Sequence, residues 1–238
     1  MLERNFLSKN IAAVSQQIAA AEREPGQVTL LAATKTQSAD TIRAAHALGI
    51  RNVGENYLAE ALPKIQALTD LQLTWHFIGR IQSNKTQEIA DHFDWVHCVD
   101  RAKIANRLSR QRSEAAPPLN VLIQVNIDAD PDKAGIEPDD VADLAEHIIS
   151  LPNLRLRGLM TILNQATDPG VGYRSMAQLA AAVGEQLTRR YGEASTLQWD
   201  CLSMGMSGDM QTAIEAGATI VRVGTALFGK RETGTSPA

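Results

Sequence analysis

Short apolar segments alternate with amphipathic segments along almost the whole chain. The apolar segments contain few alternating polar residues, which is typical of strands buried on both faces of a parallel sheet. They read, in order, VTLLAATK, IRNVGEN, LTWHFIG, WVHCVD, LNVLIQVN, LRLRGLMTI, LQWDCLSMG and TIVRVGTALFG. Between them, apolar residues recur every three to four positions, which predicts helices. The clearest of these read SADTIRAAHALG, NYLAEALPKIQAL, NKTQEIADHF, PDDVADLAEHIISL and RSMAQLAAAVGEQLTRRYG.

Strand and helix in regular alternation predict βαβ units and an α/β fold with a parallel sheet. About eight such strands in 238 residues match a closed (β/α)₈ TIM barrel. A doubly wound open sheet is the competing topology, which the pattern alone does not exclude. An extra N-terminal helix is predicted by the apolar spacing between Phe6 and Ile18. We expect a single domain over residues 1–238, with a flexible tail after about residue 230.

Composition and charge exclude several classes of protein. The formal net charge of −4 gives no basic footprint for nucleic acid. No apolar run approaches the roughly 20 residues needed to span a bilayer, and the charged N-terminal segment does not resemble a secretory signal. The five histidines are scattered without metal-ligand spacing, so no metal site is expected. We therefore expect a cytoplasmic protein that binds neither nucleic acid nor membrane.

Polar residues stand where several predicted strands end, which is where active sites of such barrels lie. Burying the ammonium group of Lys35 after the first strand costs free energy unless something compensates. Each residue taken alone also has a purely structural explanation. For example, Asn56 could cap the next helix and Arg222 could form a structural ion pair. Their joint placement at one rim favours a functional site. The strand-end residues are Lys35, Asn56, His76, Asn126, Met160, Ser203 and Arg222.

The segment SMGMSGDM, residues 203–210, follows a strand and precedes a helix. Its glycines allow backbone amides to approach a ligand, and its hydroxyls and the helix N-terminus favour an anion. A glycine-containing turn capped by Ser207 or Asp209 is the alternative. The next strand ends in Gly224 and Thr225, and phosphate sites in these barrels are frequently built from the loops after strands seven and eight. We predict an anion site here, for a phosphate group.

An amine and a phosphate site at one rim suit a phosphorylated aldehyde that is bound as a Schiff base. Pyridoxal 5'-phosphate (PLP) fits all of these parts. A phosphosugar aldehyde fits some of them.

The chain resembles the PLP homeostasis proteins of the YggS/PROSC type, which are relatives of the alanine racemase N-terminal barrel domain. The resemblance covers nearly the whole chain. Its motifs are ATKTQ around Lys35, GENY at 54–57, WHFIGRIQSNK at 75–85, LSMGMSGDM from 202 and VRVGTALFG from 221.

The resemblance implies that Lys35 carries PLP as a Schiff base and that Arg222 faces the pyridine nitrogen. A guanidinium there disfavours ring protonation, so the ring withdraws electrons weakly, which disfavours transamination and leaves racemisation possible. The resemblance further implies that the remaining cofactor contacts come from Asn56, His76, Met160, Ser203, Gly205, Met206, Ser207, Gly224 and Thr225.

Three functions compete. We favour a monomeric carrier without turnover, which buffers PLP, hands it to PLP-dependent apoenzymes and influences vitamin B6 and amino-acid balance. The first alternative is an amino-acid racemase. A two-base racemase needs a second proton-transfer group opposite the lysine, and Tyr57 is the one local candidate. The second is a Schiff-base aldolase, which predicts a second lysine or an acid pair inside the barrel; Lys133 is the other lysine near a strand end.

Overall fold

A computed structural model describes residues 2–22, 24–193 and 197–229, and the tail predicted to be flexible lies outside these residues. Eight parallel strands form a closed barrel in sequence order. The first and last strands pair directly, with Thr29 opposite Ile220, so the open sheet is excluded and the TIM barrel is confirmed. The strands are β1 Thr29–Ala33, β2 Asn52–Glu55, β3 Thr74–Phe77, β4 Trp95–Val99, β5 Leu119–Gln124, β6 Leu154–Met160, β7 Cys201–Ser203 and β8 Ile220–Val223.

Helices follow the strands and cover the outside of the barrel. Two 3₁₀ turns, Ser83–Lys85 and Pro138–Asp140, precede α4 and α6. None of the described helices is both long and apolar enough to cross a membrane. The helices are α1 Leu2–Ala21, α2 Ala39–Ala47, α3 Leu58–Ala67, α4 Thr86–His92, α5 Ala102–Gln111, α6 Val141–Ile149, α7 Pro169–Tyr191, α8 Met210–Glu215 and α9 Thr225–Phe228.

The predicted extra N-terminal helix is present as α1, and it packs against α8 and α9. Its buried side chains are spaced as the sequence predicts, although Phe6 is 52% exposed. The side-chain amide of Asn10 donates a hydrogen bond of 2.9 Å to the backbone oxygen of Leu227. Helix α1 therefore supports α9, the short helix that begins at Thr225. The buried apolar residues of α1 are Leu7, Ile11, Val14 and Ile18.

A bulge in β6 depends on one glycine. Gly158 has φ 141°, and a Cβ built there would lie 2.0 Å from the backbone oxygen of Cys201 in β7. We expect Gly158→Ala to lower the free energy of unfolding by about 3 kcal/mol or more, because backbone strain and overpacking add. Gly217→Ala is the matched control, since its φ is 103° but no atom lies within 4 Å of the added carbon. Urea unfolding measures both; equal losses would show that the contact with β7 is unimportant.

Candidate functional site

The carboxyl ends of β8, β1 and β2 lie side by side. Arg222 is opposite Leu31 in the register of β8 and β1, so the residues after both strands meet at one rim. A Cβ on Gly224 would lie 3.4 Å from the backbone oxygen of Ala33. On the other side of β1, the backbone N–H of Thr34 donates to the oxygen of Gly54 at 2.9 Å. The structure therefore brings Lys35, Asn56 and the Gly224–Thr225 segment together.

Lys35 follows β1 on a half-buried turn. Its ammonium group has no hydrogen-bond or ion-pair partner among the described residues. The following residue, Thr36, has φ 67°, which is rare for a β-branched residue, and its backbone N–H donates to Oε2 of Glu60 at 2.8 Å. The ammonium group of Lys35 is thus unpaired, while the backbone of its turn is held in place by the contact with Glu60.

A buried ion pair holds the other side of the same turn. Nζ of Lys64 lies 2.9 Å from Oε1 of Glu55 and donates to the backbone oxygen of Thr34 at 3.0 Å. The Thr34 hydroxyl donates to the same carboxylate oxygen at 2.6 Å. Glu55 is fully buried, and burial raises the pKa of its carboxyl, although the hydrogen bonds from Thr34 and Lys64 oppose the rise. We call Glu55, Lys64 and Thr34 the lysine-turn clamp.

The clamp is a feature that sequence reasoning missed. The sequence contains a pattern that indicates the clamp, because Lys64 follows Leu58 and Ala61 at helical spacing and therefore lies on the buried face of α3. Glu55 likewise ends a strand in which Val53 is buried. A lysine on a buried helix face and a carboxylate on the strand beneath it indicate an internal ion pair.

The turn after β7 is built for close backbone contacts. Gly205 has φ 89°, and a Cβ there would lie 2.5 Å from Cβ of Ala213 in α8, so this position requires glycine. The side chain of Ser207 accepts a hydrogen bond of 3.3 Å from the backbone N–H of Ala226, which ties this turn to α9. The backbone N–H groups of Ser207 and Gly208 donate no hydrogen bond within the described part of the chain. Two neighbouring free amides are suited to an anion.

Asp209 organises this turn, together with a tyrosine. Its Oδ1 accepts a hydrogen bond of 2.6 Å from the backbone N–H of Met206, and its Oδ2 accepts one of 2.8 Å from the Tyr173 hydroxyl. Burial and the Asp209 carboxylate raise the pKa of Tyr173, so this hydroxyl stays a donor. A contact between α7 and this turn was not predictable from the sequence, because Tyr173 and Asp209 are 36 positions apart along the chain.

Arg222 is buried beneath the rim and forms no ion pair with any described residue. Its Nη1 donates to the backbone oxygen of Ser203 at 2.8 Å and to the Ser203 hydroxyl at 3.0 Å, while Nη2 donates to the backbone oxygen of Thr161 at 2.9 Å. The structural ion pair that was the alternative for Arg222 is therefore absent from residues 2–22, 24–193 and 197–229. The Ser203 hydroxyl is occupied by this contact and does not face the free amides.

His76 is not among the groups at this rim. Its Nδ1 lies 2.9 Å from His97, its Nε2 lies 3.1 Å from Oδ1 of Asn52, and its ring stacks on Trp95. It lines a cavity of about 230 Å³ at the opposite mouth of the barrel. That cavity is also lined by the first residues of five strands, which are Thr29, Asn52, Trp95, Cys201 and Ile220.

The other predicted residues occupy distinct environments. Asn56 is half-buried, and its Oδ1 is buried without a hydrogen-bond partner in the described chain. Met160 is buried at the end of β6, opposite Ser203 in the register. Met206 and Thr225 are exposed.

Two further loop residues are engaged elsewhere. Asn126 exchanges hydrogen bonds with the backbone of Asp130 in its own loop. Lys133 donates to the backbone oxygen of Ile162 at 3.0 Å. Neither contact places these side chains with Lys35.

Comparison with known proteins identifies relatives that match nearly the whole chain. The family model described as "Alanine racemase, N-terminal domain" matches residues 6–232. A protein of Pseudomonas aeruginosa PAO1 named pyridoxal phosphate homeostasis protein is 50% identical over 232 residues, covering 96% of this chain and 97% of that protein.

Solved structures agree with this match. PipY of Synechococcus elongatus PCC7942, solved with PLP bound, is 36% identical with a TM-score of 0.81, covering 94% of this chain and all of that chain. Alanine racemase of Corynebacterium glutamicum shares the fold at 17% identity and a TM-score of 0.70, covering 99% of this chain and 64% of the racemase.

Proposed function

The chain belongs to the pyridoxal phosphate homeostasis proteins of the alanine racemase N-terminal domain family, and from this premise we propose that Lys35 holds PLP covalently in a carrier that buffers the cofactor. The observation that carries the proposal is the free amine of Lys35, on a turn held from both sides. When bound, PLP supplies an aldehyde that condenses with a primary amine.

The residues around Lys35 fit the other parts of PLP. A phosphate monoester carries a charge of about −1.5 to −2 at neutral pH and offers acceptor oxygens, which suit the free N–H groups of Ser207 and Gly208. Oδ1 of Asn56 is an orphaned acceptor that a donor on the bound molecule would satisfy. Arg222 offers a fixed cation below the rim. Together with the Lys35 amine, these groups therefore match the aldehyde, the phosphate and the ring of PLP.

Arg222 favours a carrier over an enzyme that needs a strong electron sink. A guanidinium beside a ring nitrogen disfavours a second positive charge at that nitrogen. Its hydrogen bonds to Ser203 and Thr161 fix the guanidinium in place. The single tyrosine candidate for a second base, Tyr57, is 61% exposed, so solvent reaches it freely. An accessible site suits capture and release.

The test compares catalytic turnover of an amino acid with transfer of PLP to an apoenzyme. Protein loaded with PLP is incubated with L-alanine in D₂O, and deuterium at the α-carbon is measured by NMR; in parallel it is mixed with a PLP-dependent apoenzyme whose recovered activity reports transfer. We expect exchange no faster than with free PLP, together with transfer to the apoenzyme. Exchange at an ordinary enzymatic rate of about 1 s⁻¹ or more would contradict the carrier role and support a racemase. The predicted monomer and cytoplasmic location stay predictions.

A further inference from the structure

A continuous line of hydrogen bonds crosses the barrel interior from Arg222 to the opposite mouth. Nη1 of Arg222 donates to the Ser203 hydroxyl at 3.0 Å, and that hydroxyl lies 2.9 Å from Nδ1 of His97. Nε2 of His97 lies 2.9 Å from Nδ1 of His76, and Nε2 of His76 lies 3.1 Å from Oδ1 of Asn52. The four side chains from Arg222 to His76 are all buried. We call these five residues the core relay.

The chemistry of the end groups fixes the direction of every hydrogen bond. Arg222 is an obligate donor, so the Ser203 oxygen accepts from it and the single Ser203 proton must go to Nδ1 of His97. His97 then carries its own proton on Nε2 and donates it to Nδ1 of His76. His76 in turn donates from Nε2 to the side-chain oxygen of Asn52. Both histidines are therefore neutral Nε2–H tautomers.

We propose that Ser203, His97 and His76 are positioning residues that hold the Arg222 guanidinium, the one positive charge of the core relay, at the floor of the cofactor site. The proposal rests on the proposed function, because it assigns Arg222 to the cofactor. The residues act through Arg222 and touch no rim group themselves. They join the strands β3, β4, β7 and β8 through side chains inside the barrel.

A charged histidine would break the relay. An imidazolium at His97 would turn Nδ1 into a donor, which would leave the Ser203 hydroxyl between two donors with no acceptor for its proton. Burial lowers the pKa of His76 to about 3, and burial, with smaller effects of the neighbouring His76 ring and of the Arg222 charge, lowers the pKa of His97 well below its usual value. Geometry and electrostatics therefore agree on neutral rings.

The first arm of the test uses PLP-free protein with ¹⁵N-labelled histidine. Two-dimensional ¹H–¹⁵N NMR at neutral pH distinguishes the two tautomers and the imidazolium. We expect both His76 and His97 to be protonated at Nε2 alone, and a proton at Nδ1 of either ring would overturn the relay. This arm is independent of PLP, so it separates the relay from the proposed function.

The second arm uses PLP-loaded variants. His97→Leu removes the acceptor for Ser203, whereas His97→Asn places an amide oxygen near the position of Nδ1. We expect His97→Leu to shift the visible absorption of the bound cofactor and speed its release about tenfold, and His97→Asn to restore much of both. An unchanged spectrum and release rate in a folded His97→Leu would overturn the positioning role.

A matched histidine serves as the control for this arm. His147 lies on α6 outside the barrel, where it contacts Asn106 at 2.9 Å. His147→Leu should leave the spectrum and release rate unchanged. If His97→Leu does not fold, Ser203→Ala removes the hydroxyl from the same point of the relay, and unchanged readouts in that variant would equally overturn the proposal.

Discussion

Lys35→Ala is expected to abolish covalent attachment of PLP and leave the barrel folded. The ammonium group of Lys35 has no partner among the described residues, so its removal breaks no internal contact. Wild-type protein should keep one PLP per chain through dialysis after borohydride reduction, and the variant should keep none. Without the covalent bond, affinity should fall at least tenfold, which corresponds to about 1.4 kcal/mol or more.

Absorbance spectra before and after dialysis measure this effect, and circular dichroism checks the fold. Lys133→Ala is the matched control, because Lys133 also lies near a strand end but donates to the backbone of Ile162. The control should bind PLP like the wild type. A Lys35→Ala protein that stays coloured through reduction and dialysis would show that another amine holds the cofactor.

Lys64→Met is expected to produce the largest loss of stability. It leaves the fully buried Glu55 carboxylate without its cationic partner, and breaking a buried pair in this way costs about 3–5 kcal/mol. Glu55→Leu combined with Lys64→Met removes both charges and should recover most of that loss. Urea unfolding at pH 8 measures the single and double variants; equal stability of the single variant and the wild type would contradict the role of the clamp.

The loss in Lys64→Met should also depend on pH. Burial already raises the pKa of Glu55 above its usual value, and removing Lys64 raises it further. A folded state that binds the proton more tightly than the unfolded state loses stability as pH rises through the raised pKa. The variant should therefore be closer to the wild type at pH 5 than at pH 8. A loss that is the same at both values would show that Glu55 is not the group left unpaired.

The barrel and most of its rim were predictable from the sequence. Runs such as VTLLAATK are apolar without alternation because both faces of a barrel strand are buried, and this property is readable in a single chain. Lys35, Asn56 and Gly224 follow neighbouring strands, so closure of the barrel by β1 and β8 brings them together. The predicted anion turn agrees with the free amides of Ser207 and Gly208.

The level at which a side chain lies along the barrel axis was not predictable from the sequence. His76 and Arg222 are both the third residue of a four-residue strand, yet Arg222 lies beneath the rim and His76 lines the opposite mouth. Strands in a barrel are tilted and staggered, so equal positions in two strands lie at different levels along the axis. The placement of His76 around the cofactor ring, which the resemblance implied, finds no support in its contacts with Asn52 and His97.

Hydrogen bonds between side chains of distant segments were also not predictable from the sequence. Ser203 could be read as a phosphate ligand because it stands in the serine- and glycine-containing turn, but its hydroxyl faces Arg222 and His97. His97 is 106 positions away from Ser203 along the chain, and no local pattern links the two. Such contacts follow from the closed topology, which sets strands β4 and β7 across the barrel interior.

The most direct measurement identifies the amine that holds the cofactor in the wild-type protein. Purified protein is loaded with PLP, reduced with borohydride, digested with a protease and analysed by tandem mass spectrometry. We predict that the phosphopyridoxyl group is found on the peptide containing Lys35 and on no other lysine. Its presence on Lys64 or Lys133 instead, or its absence from every lysine of a protein that still binds PLP, would contradict the account.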